Sequence, residues 1–248
     1  QDGKRRAFHA QYDRLGGARR YLHWLVRHRV IPMNPAASLD PPRVERRLPK
    51  AILSAFEAEQ ILKVPDLSTP RGLRDRAILE TLYATGVRRQ ELAALKIDDI
   101  DLENGRLMVR QGKGKRDRLL PLSERACVWI EKYLEESRFQ ISRGADDGSL
   151  FISHIGKRMH PEQMTKIVRR SIEAAEIEKP GACHLFRHTL ATLMLEGGAD
   201  LRYVQAMLGH ADISTTQIYT RVAIGKLQEA LEKSHPGAKL GRRAKAAV

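Results

Sequence analysis

The sequence has little of what marks a membrane, secreted or zinc-stabilised protein. It contains two cysteines, Cys127 and Cys183, which lie far apart in the chain. This excludes a disulfide framework and a four-cysteine zinc site. It contains no run of about 18 apolar residues, so we expect no membrane-spanning helix. The first ten residues lack the apolar stretch of a secretory signal, and we expect a cytoplasmic protein.

The chain of 248 residues starts with Gln rather than Met, so we expect it to be part of a longer protein. Its size suits one large domain, or one domain and a smaller piece. Charged residues make up 30% and hydrophobic residues 42%, which is typical of a folded globular protein and excludes long disorder as its main state.

Acidic residues are fewer than basic residues. Lys and Arg number 44 against 30 Asp and Glu, a net charge of +14, and the first 50 residues alone hold twelve basic and four acidic residues. A basic field of this kind concentrates polyanions near the protein. Composition alone leaves three alternatives: nucleic acid, an anionic membrane surface, or a charged surface without a partner.

Apolar spacing predicts a mainly helical fold with a small antiparallel sheet. A first helix over 11–31 precedes a Pro- and Arg-rich stretch, and we place a domain boundary near residue 48. A capping box at Ser54 and Glu57 starts the second region. Further helices are predicted over 72–85, 91–95, 123–138, 161–176, 184–195, 200–209, from Ser214 and over 224–233. Strands are predicted over 106–111, 116–121 and 150–152, the first two joined by a hairpin turn.

Six polar residues lie at helix ends and turns of this second region: Arg88, Lys113, His184, Arg187, His210 and Tyr219. Arginines can hold phosphate oxygens in a bidentate manner, histidine can move protons near neutral pH, and tyrosine is a feasible covalent nucleophile. The sequence shows no accompanying carboxylate cluster suited to two metals. Each residue alone is more often structural, and spacing alone leaves both interpretations open.

A metal site is the weaker interpretation of one pair. His184 and His188 are four residues apart, as in zinc-protease helices, but Leu185 and Phe186 stand where such a helix needs Glu. We therefore expect no metal and no other cofactor.

The chain resembles the tyrosine recombinase (phage integrase) family over about residues 31–235, and within it the Xer-type members. Four motifs carry the resemblance, in this order: YATGVRRQEL (83–92), GKGKRDRLLPL (112–122), HLFRH (184–188) and LGHADISTTQIY (208–219). Any one motif is a modest signal, whereas all four in order are specific.

The resemblance implies a role for each of the six residues. Arg88 and Arg187 correspond to the catalytic arginines and His210 to a phosphate ligand. Lys113 corresponds to the general acid for a departing 5′-hydroxyl, and His184 to a residue that assists proton transfer with Tyr219. Tyr219 corresponds to the nucleophile, which forms a 3′-phosphotyrosine linkage that a 5′-hydroxyl then attacks, so that neither ATP nor metal is needed.

The resemblance also implies a domain organisation and partners. Residues 1–42 correspond to the last part of a helical core-binding domain, 43–50 to a linker, 51–235 to the catalytic domain and 236–248 to a basic flexible tail. Members of the family clamp double-stranded DNA and assemble as tetramers, homomeric or mixed, in which the last helix, 224–233 here, docks on a neighbouring protomer. The alternative is that this helix packs on its own core.

Seven further basic residues are candidates for contacts with the DNA backbone, although solvated charge explains them equally well. They are Arg43, Arg46, Arg47, Arg89, Lys115, Arg116 and Arg118.

Three functions compete. The first is a site-specific DNA recombinase, for chromosome-dimer resolution, integration of a mobile element or an integron. The second is a type IB topoisomerase-like enzyme that rejoins the same strand. The third is a DNA-binding protein without catalysis. The complete set of six residues argues against the third, and the products separate the other two: relaxed circles alone for the second, strands exchanged between two sites for the first, which we expect.

Overall fold

Residues 8–39, 51–110, 117–142, 146–209, 229, 231–235 and 237 are described by the computed structural model. The chain divides into two units, Gln1–Lys50 and Ala51–Val248, which we describe in turn. Within the part of the chain so described, no helix is both long enough and apolar enough to cross a membrane.

The first unit contains helix α1, Phe8–Arg27. The helix ends four residues before the predicted end because Arg29 adopts a left-handed conformation, with φ of 58°. The Val30 amide then donates to the Leu25 carbonyl at 2.9 Å, which closes the last turn. Non-glycine residues seldom take this conformation, so the sequence carried no signal for this end.

The second unit begins with two capped helices. Ser54 and Glu57 form the predicted capping box at the start of α2 (Ala55–Lys63), with N–H···O distances of 3.1 and 2.6 Å. Helix α3 (Pro70–Thr85) begins two residues earlier than predicted, because the Thr69 hydroxyl accepts from the Gly72 amide at 3.0 Å and Pro70 suits the first helical position. It ends at Gly86, as predicted, with φ of 59°.

The remaining elements confirm a mainly helical fold with a small sheet. In chain order they are α4 (Arg89–Ala94), β1 (Ile100–Asp101), β2 (Arg106–Val109), β3 (Arg118–Pro121), α5 (Glu124–Lys132), α6 (Phe139–Ser142), α7 (Pro161–Ala174), α8 (Cys183–Glu196) and α9 (Leu201–Leu208). A 3-10 turn, Ile97–Asp99, precedes β1, and a π-helical segment, Tyr133–Arg138, joins α5 to α6.

Helix α3 is the centre of the core. Nearly all its residues from Gly72 to Thr85 are buried, and it packs against α5, α8 and the π-helical segment. Its buried Glu80 accepts hydrogen bonds from Arg76 and Arg125, so this charge is paired inside the fold. Because α3 is covered on all sides, the turn that follows it is held in a fixed place.

The sheet is antiparallel in the order β1–β2–β3, with Val109 opposite Arg118. It contains the predicted pair of strands, slightly shorter, and the turn between them lies outside the described residues. The predicted strand over 150–152 is wrong: only isolated bridges form there, Lys96 with Ser149 and Ile152 with Arg158. Its apolar residues reflect complete burial, and burial alone does not distinguish a strand from a buried loop.

The predicted helix over 123–138 is continuous in direction but changes its hydrogen bonding after Lys132, where the π-helical segment starts. Tyr133 and Arg138 both donate to the Leu150 carbonyl, at 3.1 and 3.4 Å. These bonds hold the segment against the buried loop that follows it in the chain.

The end of the last helix lies in the core of its own unit. Leu231 is 1% exposed. The His235 Nδ1 accepts from the Gly237 amide at 3.0 Å, so Nε2 carries the hydrogen and donates to the Tyr83 carbonyl at 2.7 Å. Leu231 thus shows the intramolecular packing that we considered as the alternative, and residues 224–228 lie outside the described residues.

Replacement of Leu231 by Ala is expected to lower the free energy of unfolding by about 2–5 kcal/mol, because it leaves a cavity in the core. The matched control is Leu67→Ala, since Leu67 is 43% exposed and a surface change is expected to cost about 0.5 kcal/mol or less. Urea unfolding measures both. Equal small losses would contradict the intramolecular packing of Leu231.

Stability is also expected to depend on the protonation of His235. Burial lowers the pKa of this imidazole from 6.5 to about 4, so between these values the unfolded chain binds a proton that the folded chain does not. The free energy of unfolding therefore falls as the pH drops from 6.5 towards 4. We expect the loss caused by His235→Gln to be larger at pH 7.5 than at pH 4.5 in urea unfolding; a difference independent of pH would argue against a buried neutral His235.

Candidate active site

Arg88 lies at the N-terminus of α4, directly after the turn that ends α3. Its Nη1 donates to Glu91 Oε1 at 2.9 Å, and its Nη2 donates to the Gly209 carbonyl at 3.0 Å. The side chain is 24% exposed. Arg88 therefore spans from its own helix to the end of α9 and keeps part of its guanidinium open to solvent.

Arg187 reaches the same place from α8. Its Nη1 donates to the Gly86 carbonyl at 2.8 Å and its Nη2 donates to the Leu208 carbonyl. The residue is buried. Arg88 and Arg187 thus donate to consecutive carbonyls at the end of α9, and the structure brings these two predicted residues together.

Glu91 is the acidic partner of this arrangement. Its carboxylate accepts four hydrogen bonds: from the backbone amide and Nη1 of Arg88, both at 2.9 Å, and from Nη1 and Nη2 of Arg118, at 2.9 and 2.7 Å. Burial raises the pKa of this carboxyl, but the hydrogen bonds from both arginines outweigh it and hold the pKa at about 2. Glu91 is therefore a fixed negative charge.

We call Arg88, Arg118, Arg187 and Glu91 the guanidinium cluster. Three positive charges face one negative charge within it. Burial, together with the nearby charges of Arg88 and Arg118, lowers the pKa of Arg187 to about 10. A group whose charged form is disfavoured in this way gains stability when an anion binds nearby, and a phosphodiester oxygen suits paired guanidinium groups.

His184 lies in the first turn of α8, one turn before Arg187, and it is exposed. His188 lies one turn after His184 and next to Arg187 in α8. Partial burial and the nearby His184 and Arg187 lower the pKa of its imidazole. The three other predicted residues, Lys113, His210 and Tyr219, lie outside the described residues.

The residues predicted to contact DNA differ in their exposure and in their partners. Arg89 is exposed, and its Nη1 lies 3.4 Å from the Thr165 hydroxyl. Arg118 is held by Glu91, and its side chain is 14% exposed. The other five candidates lie outside the described residues: Arg43, Arg46, Arg47, Lys115 and Arg116.

Sequence reasoning missed Glu91, although it stands inside a quoted motif. The signal was available: an acid three residues after Arg88, at the third position of a helix, can accept from the backbone amide at the helix start. No group of three His, Cys, Asp or Glu side chains that could hold a metal ion occurs in the described ranges. The expectation of no metal stays a prediction.

The chain is similar to proteins of known family. The Phage integrase family matches residues 51–225. The tyrosine recombinase XerC 2 of Ralstonia nicotianae is 46% identical over 227 residues, which cover 92% of this chain and 65% of that protein. The chain thus spans slightly less than two thirds of the length of this relative.

Two solved structures are also similar. The XerA recombinase matches with a TM-score of 0.59 and 30% identity, over 95% of this chain and 79% of that one. The XerH recombinase, solved in a pre-cleavage complex with its difH substrate, matches with a TM-score of 0.57 and 28% identity, over 71% of this chain and 51% of that one. These similarities confirm both the resemblance carried by the motifs and the predicted fold class. The chain belongs to the phage integrase family, with Xer tyrosine recombinases among its relatives.

Proposed function

We propose that this chain is the catalytic part of a site-specific DNA recombinase that breaks and rejoins strands through a 3′-phosphotyrosine linkage. The observation that carries the proposal is the convergence of Arg88 and Arg187 on the end of α9, next to His210 in the chain. Oriented donors of this kind stabilise the charge that develops on a phosphodiester in the transition state. They do so without moving during the reaction.

The reaction proceeds in two transesterification steps. The Tyr219 oxygen attacks the phosphorus, the bond from phosphorus to the 5′-oxygen breaks, and Lys113 gives a proton to the departing 5′-hydroxyl. His184 takes part in moving the phenolic proton, while Arg88, Arg187 and His210 hold the non-bridging oxygens. A 5′-hydroxyl from a partner strand then attacks the linkage and releases Tyr219, so the number of phosphodiester bonds is conserved without ATP.

Double-stranded DNA is the proposed substrate. The net charge of +14 supports it, as does the XerH relative solved with its difH substrate. The backbone contacts that we propose come from exposed Arg89 and from residues of the 43–47 and 115–116 stretches. Each neutralised phosphate adds about 0.9 to the slope of log affinity against log salt.

The proposed organisation follows the family resemblance. Residues 1–42 form the end of a core-binding domain, 43–50 a linker and 51–235 the catalytic domain, with a basic tail after it. The division of the chain after Lys50 supports this boundary. We further propose assembly with other recombinase protomers through the helix predicted over 224–233, on a face other than that of the buried Leu231, and a cytoplasmic location, where chromosomal DNA is present.

A covalent-capture experiment tests the proposal. Duplexes that carry a nick within a randomised sequence are mixed with the protein in EDTA, and SDS-resistant adducts are isolated and sequenced. The nick lets the short fragment that carries the new 5′-hydroxyl diffuse away after cleavage, so the covalent linkage to Tyr219 accumulates. We expect an adduct with one recovered sequence, and at least a thousandfold less adduct with Tyr219→Phe, because phenylalanine has no nucleophilic oxygen.

The control is the affinity of Tyr219→Phe for the recovered duplex, which should equal that of the wild-type chain. No adduct from the whole library would contradict the proposed chemistry. Exchange of strands between two labelled copies of the recovered duplex separates recombination from simple resealing.

A further inference from the structure

Arg118 is placed differently from the other basic residues proposed to contact DNA. It starts β3, and both its terminal nitrogens donate to the Glu91 carboxylate, at 2.9 and 2.7 Å. Its side chain is 14% exposed, whereas that of Arg110, at the other side of the same hairpin, is 60% exposed. A bidentate pair of this kind fixes the guanidinium in one orientation.

Glu91 accepts one N–H from each terminal nitrogen of Arg118, and Nε, which Glu91 does not engage, is buried. Drawing the guanidinium out to an exposed phosphate would separate it from the buried Glu91 carboxylate, which would keep Arg88 as its remaining cationic partner among the described residues. Removing one partner from a buried charge is costly. The geometry therefore favours a role inside the guanidinium cluster over a role at the DNA surface.

Glu91 transmits the effect of Arg118 to Arg88. The same carboxylate accepts from the amide and the Nη1 of Arg88, and each of its oxygens is shared between the two arginines. With Arg118 in place, the carboxylate cannot rotate without losing bonds on both sides. Without Arg118, the plane of the carboxylate is set by Arg88 alone, and the anchor that holds Arg88 becomes looser.

Arg118 also supports the turn on which Arg88 and Arg187 converge. A Cβ atom built on Gly209 would lie 3.1 Å from Arg118 Nε and 3.2 Å from its Cζ, so the guanidinium lies directly against this glycine. The Gly209 carbonyl accepts from Arg88 Nη2. Arg118 thus touches both residues that fix Arg88: Glu91 on one side and Gly209 on the other.

The position of Arg118 in the chain connects it to Lys113, another residue of the proposed reaction. Arg118 follows Lys113 by five residues and is paired with Val109 across the hairpin. The strand that follows the Lys113 stretch is therefore tied by a charged pair to the helix that starts at Arg88. The pair therefore links the base of the hairpin directly to the arginine site.

We propose that Arg118 is a positioning residue of the strand-cleavage reaction: it holds Arg88 in place through Glu91 and Gly209 and is not a ligand of the DNA backbone. The inference rests on the proposed function. A positioning residue alters the rate of the chemical step when the DNA is already bound, whereas a backbone ligand alters affinity and its dependence on salt.

The test compares Arg118→Gln with the matched control Arg110→Gln. Arg110 directly follows β2, as Arg118 starts β3, and it also forms an ion pair, with Asp99 at 2.5 Å, which is not part of the guanidinium cluster. We expect Arg118→Gln to slow single-turnover cleavage of the captured nicked duplex at least tenfold at saturating protein. Its affinity for a 30-base-pair duplex of unrelated sequence and the salt slope of that affinity should match those of wild type. Arg110→Gln should cleave at the wild-type rate.

Two further variants separate positioning from general loss of structure. Arg118→Lys keeps the charge but not the bidentate geometry, so we expect a rate between those of Gln and wild type. In Glu91→Gln, adding Arg118→Gln should slow cleavage by a smaller factor than it does in the wild-type chain, because the part of the effect that passes through Glu91 is already lost. The melting temperature of each variant shows that it is folded at the assay temperature.

The outcomes are distinct. A salt slope reduced by about 0.9 in Arg118→Gln makes it a phosphate ligand and overturns the inference. Cleavage by Arg118→Gln at the wild-type rate also overturns it, while the proposed function stands. No adduct with the wild-type chain contradicts the proposed function, and the role of Arg118 with it.

Discussion

The bidentate pair between Glu91 and Arg118, shared with Arg88, is the interaction on which the site depends. Without the carboxylate, three guanidinium groups would face one another in a half-buried place, and like charges so close together would drive them apart. One fixed negative charge reduces this repulsion but does not cancel it. The positive charge that remains suits an anion such as a phosphate.

Much of the fold was predictable because local signals and the tertiary structure agree. The capping box at Ser54, the glycine after α3 and the Asp200 cap of α9 each act through backbone bonds within a few residues. The family motifs singled out Arg88 and Arg187, and the structure brings these two side chains to the same place. That both residues donate to the end of α9 was not readable, because this depends on how α3, α8 and α9 pack.

The predictions from sequence failed where the structure depends on an unusual backbone conformation or on contacts between residues far apart in the chain. The end of α1 depends on a left-handed arginine. The loop at 150–152 appeared strand-like because it is apolar, yet it is buried without a continuous partner strand. The burial of Leu231 could not be chosen over an intermolecular contact, since an apolar helix face is equally suited to either. Glu91 was overlooked because a glutamate in a helix is commonplace unless its partners are known.

The lowered pKa of Arg187 also concerns the stability of the whole chain. Folding confines a positive charge in a place that disfavours it, so part of the free energy gained elsewhere in the core offsets this cost. A polyanion that occupies the site removes the cost and binds the folded chain in preference to the unfolded one. By mass action, occupancy then adds to the free energy of unfolding. The fraction of the chain that is unfolded, and hence open to proteases, therefore depends on how fully a polyanion occupies this site.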